Sequence, residues 1–371
     1  MRYTDKPPIL VNFYSPGSLK AQGNYTKTLR LSSFHDSLRK KATDIKKIET
    51  IGSDLLMPPL SNYSVETWTL RKNILSRNKI ISGDDRIILI KTSSKDYTFV
   101  RFICTESSIK KPAAHLLNDG SDEIRELTYL SYKKLVDLIK SSQLPENIIR
   151  TWNFIPGMFN DSKKINGKII SQRYEQFNKG RKGALMKYFN SVNHLGGTKT
   201  SAATVVGSKR GGPLIIEALL SNDKVFYISN PEQVDPQMYS KRYGKSPPLF
   251  SRASVQDLGG RGLLFISGTA SIKGEDTKNP YEASSQVYTM LENLEALIDY
   301  KNLSNYVPFK PKRISLSDLQ GVRVYIKDSK YLSHIEPVIK KVFGGQKICI
   351  LNGEICRDDL LVEIESNATP I

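Results

Sequence analysis

Gly353–Ser366 reads GEICRDDLLVEIES. A turn-forming segment, Cys356-Arg357-Asp358-Asp359, runs into an apolar strand over Leu360–Ile364. Strand alternation puts Leu360, Val362 and Ile364 on one face and Leu361, Glu363 and Glu365 on the other. Two carboxylates thus share a face with a leucine in a strand too apolar for the surface. Two readings stay open on these residues alone. One is a solvated strand face. The other is a partly buried acid with a raised pKa, placed to give up a proton.

Outward from that strand, the second half of the chain alternates strands and helices. Leu249–Val255 and Gly262–Ser267 read as strands. Asn279-Pro280-Tyr281-Glu282 reads as a helix start, with Asn as N-cap and Pro at the first position. Val287, Leu291, Leu294 and Ile298 then form one apolar stripe. Val322–Ile326 is a strand, and Lys330–Phe343 is a helix stopped by Gly344-Gly345. Ile348–Leu351 and Leu360–Ile364 close the set. The first half follows the same order: strands at Ile87–Ile90 and Tyr97–Cys104, a helix at Glu123–Ser142, a strand at Ile148–Phe154, a helix at Gln172–Phe189, and strands at Ala202–Val206 and Pro213–Leu220. The spacing predicts two α/β (α+β) domains of order β-β-α-β-α-β-β, each a mixed sheet with two helices on one face. The boundaries expected are a partly irregular extension at 1–80 and domains at 81–222 and 223–371. Each sheet has one bare face, and the two bare faces are expected to pack together. Glu363 then lies near an interdomain cleft.

The 371 residues suffice for two cores. No apolar run reaches membrane-spanning length, and Met1–Leu10, with Arg2, Asp5, Lys6 and two prolines, is no signal peptide, so a cytoplasmic address is expected. Cys104, Cys349 and Cys356 have no metal-ligand spacing and read as reduced thiols. The four histidines are scattered, which argues against a metal cluster or a nucleophile–histidine pair. Charge is uneven. Residues 1–220 hold 36 Lys and Arg against 19 Asp and Glu, and residues 221–371 hold 19 against 18. No zinc-finger, RNP or helix-turn-helix signature accompanies the basic half, so nucleic acid is not the expected partner.

Special residues concentrate in a few runs. Asn230–Ala253 (NPEQVDPQMYSKRYGKSPPLFSRA) combines Tyr239, Lys241, Arg242, Tyr243, Lys245 and Arg252. Leu264–Ile272 (LFISGTASI) ends a buried strand in Ser267-Gly268, where glycine permits close approach. Arg150–Phe154 (RTWNF) and Arg173–Arg181 (RYEQFNKGR) lie in the first half. With ICRDDLLVEIE, these runs resemble the chorismatase family over roughly residues 148–365. The second half resembles the RidA/YjgF fold, in which a Ser-Gly strand end and a terminal V-E-I-E strand line the pocket.

The resemblance implies removal of the enolpyruvyl group of chorismate as pyruvate, with no metal or organic cofactor. A dianionic substrate calls for arginines, and Arg252, Arg181 and Arg323 are the candidates, with Tyr243 and Tyr174 as hydrogen-bonding walls. Ser267 and Gly268 complete the expected pocket. Glu363 matches the family's catalytic glutamate, and Glu365 is expected to be exposed or fold-stabilising. The 3-hydroxybenzoate branch is implied by Gly268 together with Cys356, the second residue expected to bear on catalysis. Lys327 and Lys347 depart from the family, which tends to have Arg at these positions. The rival readings are a chorismate hydrolase giving a dihydroxycyclohexadiene carboxylate, a RidA-like imine hydrolase, and a basic ligand- or nucleic-acid-binding protein. Some 4-hydroxybenzoate is a further expected product, and a monomer is the expected state.

Overall fold

The computed structural model describes residues 9–14, 28–33, 60, 65–70, 76–82, 86–106, 121–165, 167–192 and 200–371. Six strands form a first sheet: β1 (Ser76–Ser82), β2 (Ile87–Ser93), β3 (Thr98–Cys104), β4 (Asn147–Pro156), β5 (Ala202–Ser208) and β6 (Leu214–Ser221). Six more form a second: β7 (Val225–Ile228), β8 (Ala253–Asp257), β9 (Gly262–Ala270), β10 (Arg323–Ile326), β11 (Cys349–Asn352) and β12 (Val362–Pro370). Among the described residues, four long helices accompany them: α1 (Ser121–Lys140), α2 (Gln172–Val192), α3 (Ala283–Ile298) and α4 (Leu332–Phe343).

The first sheet runs β5-β4-β6-β3-β2-β1, and the second runs β11-β10-β12-β9-β8-β7. The two orders are identical under a shift of six strands. Only β4 with β5 and β10 with β11 pair in parallel; the other neighbours are antiparallel. Each unit is thus β-β-β-α-β-α-β-β, a mixed sheet with two long helices on one face. The expected order lacked the first strand of each unit. β1 is the polar run SRNKIIS and β7 has only four residues, so neither carries a clear apolar alternation.

Three apolar clusters explain the layering. In the first unit α1 contributes Ile124, Leu127, Leu135 and Leu138 to a core with Val100, Phe102, Ile216 and Leu220 of the sheet. In the second, Val287, Met290, Leu291 and Leu294 of α3 and Ile335, Ile339 and Phe343 of α4 pack on Val255, Leu264, Val324 and Ile364. The third cluster joins the two sheets: Phe99, Trp152, Phe154, Ile215 and Leu219 from one meet Phe265, Tyr325, Leu351 and Ala368 from the other. The bare sheet faces do pack together. β5 runs along this junction, and its outer backbone donors are satisfied by the second unit. Ala202 N–H donates to Ser254 Oγ at 2.7 Å and Ala203 N–H to Ser267 Oγ at 2.9 Å. An exposed sheet edge is thereby covered.

Local expectations shift in three places. The last strand begins at Val362, so Leu360 joins the inter-sheet cluster while Leu361 joins the α3–α4 core. Asn279 and Tyr281 have φ of 50° and 62°, so they form a turn, and α3 starts at Ala283 after Glu282. The first strand of the second sheet's inner hairpin starts at Ala253, with Leu249 in the preceding loop. Strands Ile9–Tyr14, Thr28–Ser33 and Val65–Leu70 make a separate three-stranded sheet. Val11 of that sheet packs against the inter-sheet cluster, and Leu60 N–H donates to Ile350 O at 2.8 Å. The expectation of exposure at Lys40–Lys47 lies outside the described residues.

Candidate active site

β12 alternates Val362 and Ile364 into the α3–α4 core, which turns Glu363 and Glu365 toward the first sheet. Both are buried, and neither is a solvated face. Their surroundings differ. Glu365 is saturated with donors: Arg150 Nη2 and Arg323 Nη1 each at 3.0 Å, Trp152 Nε1 at 3.2 Å, and the Thr204 hydroxyl. Glu363 shares none of these bonds. It lines an open cleft, and burial followed by the charge of Glu365 pushes its pKa up to about 8. Arg150 and Arg252 oppose that rise without cancelling it.

Gly268 of β9 has its missing side chain filled by this carboxyl group. A Cβ there would lie 2.7 Å from Glu363 Cδ, with Oε1 closer still. Gly268 N–H donates to Thr204 Oγ1 at 3.0 Å, so the glycine is held against the first sheet. Its role is to admit the acid, in addition to lining the cleft.

The walls come from four segments. Tyr174 and Asn178 stand one turn apart on α2 and are hydrogen-bonded to one another, and the phenol pKa is raised well above normal by burial. Arg252 follows the Pro247-Pro248 loop. Its Nη2 donates to Val234 O and to Tyr239 Oη, both at 2.7 Å, while its buried Nε has no partner. Arg357 stacks on Tyr243 at 3.6 Å from the ring centroid and donates from Nη1 to Thr277 Oγ1 at 3.2 Å; its buried Nη2 has no partner. Tyr243 Oη in turn donates to Asp276 Oδ1 at 2.6 Å. Both arginines line the cleft, which suits it to an anion.

The loop carrying Arg357 and Cys356 is pinned from below. Lys327 Nζ donates to Asp358 Oδ1 at 2.8 Å and to Asp358 O at 2.5 Å. Tyr281 Oη donates to Asp358 Oδ2 at 2.9 Å. Lys327, one of the two departures from the family's Arg, thus serves the loop. Lys347 does not line the cleft. Cys356 lines it, and burial, with Glu363 second, pushes its thiol up to about 12. A thiol so placed is protonated at neutral pH and acts as a soft wall, unlike a nucleophilic thiolate.

Of the expected residues, Glu363, Cys356, Arg252, Tyr243, Tyr174 and Gly268 meet in one cleft. Three do not. Ser267 is fully buried and its hydroxyl joins the units, accepting from Ala203 N–H and donating to Ser251 O at 2.5 Å. Arg323 is committed to Glu365 and to Tyr325 Oη at 2.7 Å. Arg181 points between α2 and the first sheet, donating to Thr151 Oγ1 at 3.2 Å beneath the Tyr132 ring. Arg357 is the residue that sequence reasoning missed. Its position next to Cys356 in the matching run was the available signal.

A duplicated mixed-sheet fold thus brings one buried carboxyl with a raised pKa and two arginines to a single cleft. Comparisons narrow the class. Residues 101–220 match the model of the chorismatase FkbO/Hyg5-like N-terminal domain. A 3-hydroxybenzoate synthase of Streptomyces hygroscopicus is 30% identical over 245 residues, 65% of this chain and 68% of that protein. A chorismatase of Streptomyces rapamycinicus is 29% identical over 63% of this chain and 67% of its own length. A chorismatase crystal structure aligns over 99% of this chain and 100% of that one, with a TM-score of 0.75 at 22% identity. The chain belongs to the chorismatase family.

Proposed function

We propose that the protein converts chorismate to 3-hydroxybenzoate and pyruvate, with Glu363 as the general acid. The observation that carries this reading is a buried carboxyl, with a pKa raised to about 8, that faces a cleft holding Arg252 and Arg357. Chorismate carries two carboxylates and an enol ether. The two arginines, with Tyr243 and Tyr174, suit the carboxylates and the ring. Glu363 transfers its proton to the enol-ether methylene carbon, which becomes the methyl group of pyruvate. The adjacent carbon becomes oxocarbenium-like, and the ring bond to the enolpyruvyl oxygen breaks as pyruvate departs, while the neighbouring ring hydroxyl oxygen releases its proton and bonds to the carbon vacated. That oxygen's original ring bond then opens and the hydrogen on its new carbon is lost, which gives the aromatic 3-hydroxy product and returns a proton to Glu363. A carboxyl ionised at neutral pH has no proton to give, so the raised pKa fits the step.

Hydroxybenzoate and pyruvate together hold the atoms of chorismate, whereas the dihydroxycyclohexadiene product requires one water in addition. The fit of Glu363 against Gly268 and the apolar flank of Cys356 favour the branch in which water is kept from the ring. The S. hygroscopicus relative named for 3-hydroxybenzoate synthesis points the same way. The test is incubation with chorismate, with lactate-dehydrogenase-coupled detection of pyruvate and chromatography of the aromatic product. 3-Hydroxybenzoate as the main product supports the proposal. A dihydroxycyclohexadiene carboxylate would move the protein to the hydrolytic branch, and absence of pyruvate at high enzyme concentration would end the reading.

A further inference from the structure

Glu365 and Glu363 stand two residues apart on the same face of β12, yet all the strong donors of that region converge on Glu365. Arg150 from β4 and Arg323 from β10 approach it from opposite units, and both are fully buried. A buried guanidinium keeps its charge and requires an anion nearby. Were Glu365 neutral, the nearest carboxyl able to meet that need would be Glu363. We propose that Glu365 is a positioning residue that reserves Arg150 and Arg323, leaving Glu363 free to keep its proton.

The geometry specifies how the reservation works. Thr204 Oγ1 donates to Glu365 while accepting from Arg150 Nη2 and from Gly268 N–H. One hydroxyl thus links the anion, its arginine and the glycine against which Glu363 rests. Tyr325 lies opposite Glu363 in the strand register, and its hydroxyl accepts from Arg323, which turns that donor away as well. The remaining groups around Glu363 are Arg252 from the loop before β8, Cys356 from the loop before β12 and Tyr174 from α2. Of these only Arg252 is a cation, and its Nη2 is directed to Val234 O and Tyr239 Oη. The charge of Glu365 also acts directly on Glu363, disfavouring a second carboxylate at close range.

This inference rests on Glu363 being the acid, and the experiment separates the two. The full chain is compared as wild type, Glu365→Gln, Glu365→Asp and Arg150→Met, with Glu363→Gln as control. Two readouts are taken: the pH dependence of kcat for pyruvate release from chorismate, and the protonated-carboxyl infrared band that Glu363→Gln removes. In Glu365→Gln the alkaline limb and the titration of that band should both move down by about one pH unit or more, the scale of an altered close charge. Glu365→Asp, which keeps the anion, should restore the wild-type limb. Arg150→Met, which removes a cation, should move both upward, and it decides the matter if Glu365→Gln does not fold. Unmoved titration in Glu365→Gln, or equal shifts in the Gln and Asp variants, would overturn the proposal. Turnover persisting in Glu363→Gln would overturn the prior reading instead.

Discussion

Gly268 and Glu363 share one space, and that contact sets the chemistry of the cleft. Any side chain at position 268 collides with the carboxyl group. Gly268→Ala should therefore displace the acid, lowering kcat by up to about 10²-fold, as small misplacements of reacting groups do, and admitting water-derived product. Rate measurement with product chromatography checks this, and an unchanged rate and ratio would refute it. Glu363 also burdens the fold. Its pKa is near 8 when folded and 4.5 as the ordinary value. Between those pH values the folded chain binds the proton and the unfolded chain does not, so stability falls as pH rises through that window. Glu363→Gln should melt a few degrees higher than wild type at pH 8, with little difference near pH 4.5. Equal melting temperatures at both pH values would contradict the assignment.

At the scale of elements, duplication explains why one unit turns a carboxyl into the cleft and the other does not. In the first unit β4 and β6 pair Trp152 with Glu217 and Arg150 with Leu219. In the second, β10 and β12 pair Tyr325 with Glu363 and Arg323 with Glu365. Aligning arginine on arginine places aromatic on aromatic and Glu217 on Glu363. Across the other edge, β3 sets Arg101 opposite Glu217, where β9 sets Ala270 opposite Glu363. Arg101 Nε bonds Glu217 Oε1 at 2.6 Å in full burial, closing the first position. Ala270→Arg should reproduce that closure, pairing with Glu363 and reducing kcat by roughly the 10²–10⁴-fold worth of a general acid. Wild-type turnover in that variant would contradict the equivalence. This kinship was readable in the order of strands and helices but not in matching residues. The helices and inner strands announce themselves by apolar period. β1 and β7 do not, because they are short or polar edge strands. Among charged side chains the sequence reveals type without partner. Arg323 and Arg181 carry the charge expected of anion binders, and Glu365 reads equally as an exposed or a fold-stabilising acid. Only the register shows that Arg323 and Glu365 hold each other and that Arg357, set in an apparent turn, faces the cleft.

On the scale of the whole molecule, the two sheets form a single apolar junction, and the cleft opens where β9, β12 and α2 meet it. The position of Glu363 is thus a consequence of packing two bare sheet faces, with Ser267, Ser254 and Thr204 as polar ties across the joint. Excess positive charge belongs to residues 1–220, whereas Arg252 and Arg357, which line the cleft, come from the nearly neutral second half. The arginines proposed to meet the anion therefore lie outside the basic half. The most direct measurement is kcat for pyruvate release from chorismate across pH in wild type and Glu363→Gln, with circular dichroism to establish that both are folded. The account predicts wild-type activity that declines as pH rises through about 8 and a folded Glu363→Gln chain slowed by roughly 10²–10⁴-fold. A folded Glu363→Gln enzyme turning over chorismate near the wild-type rate would contradict it.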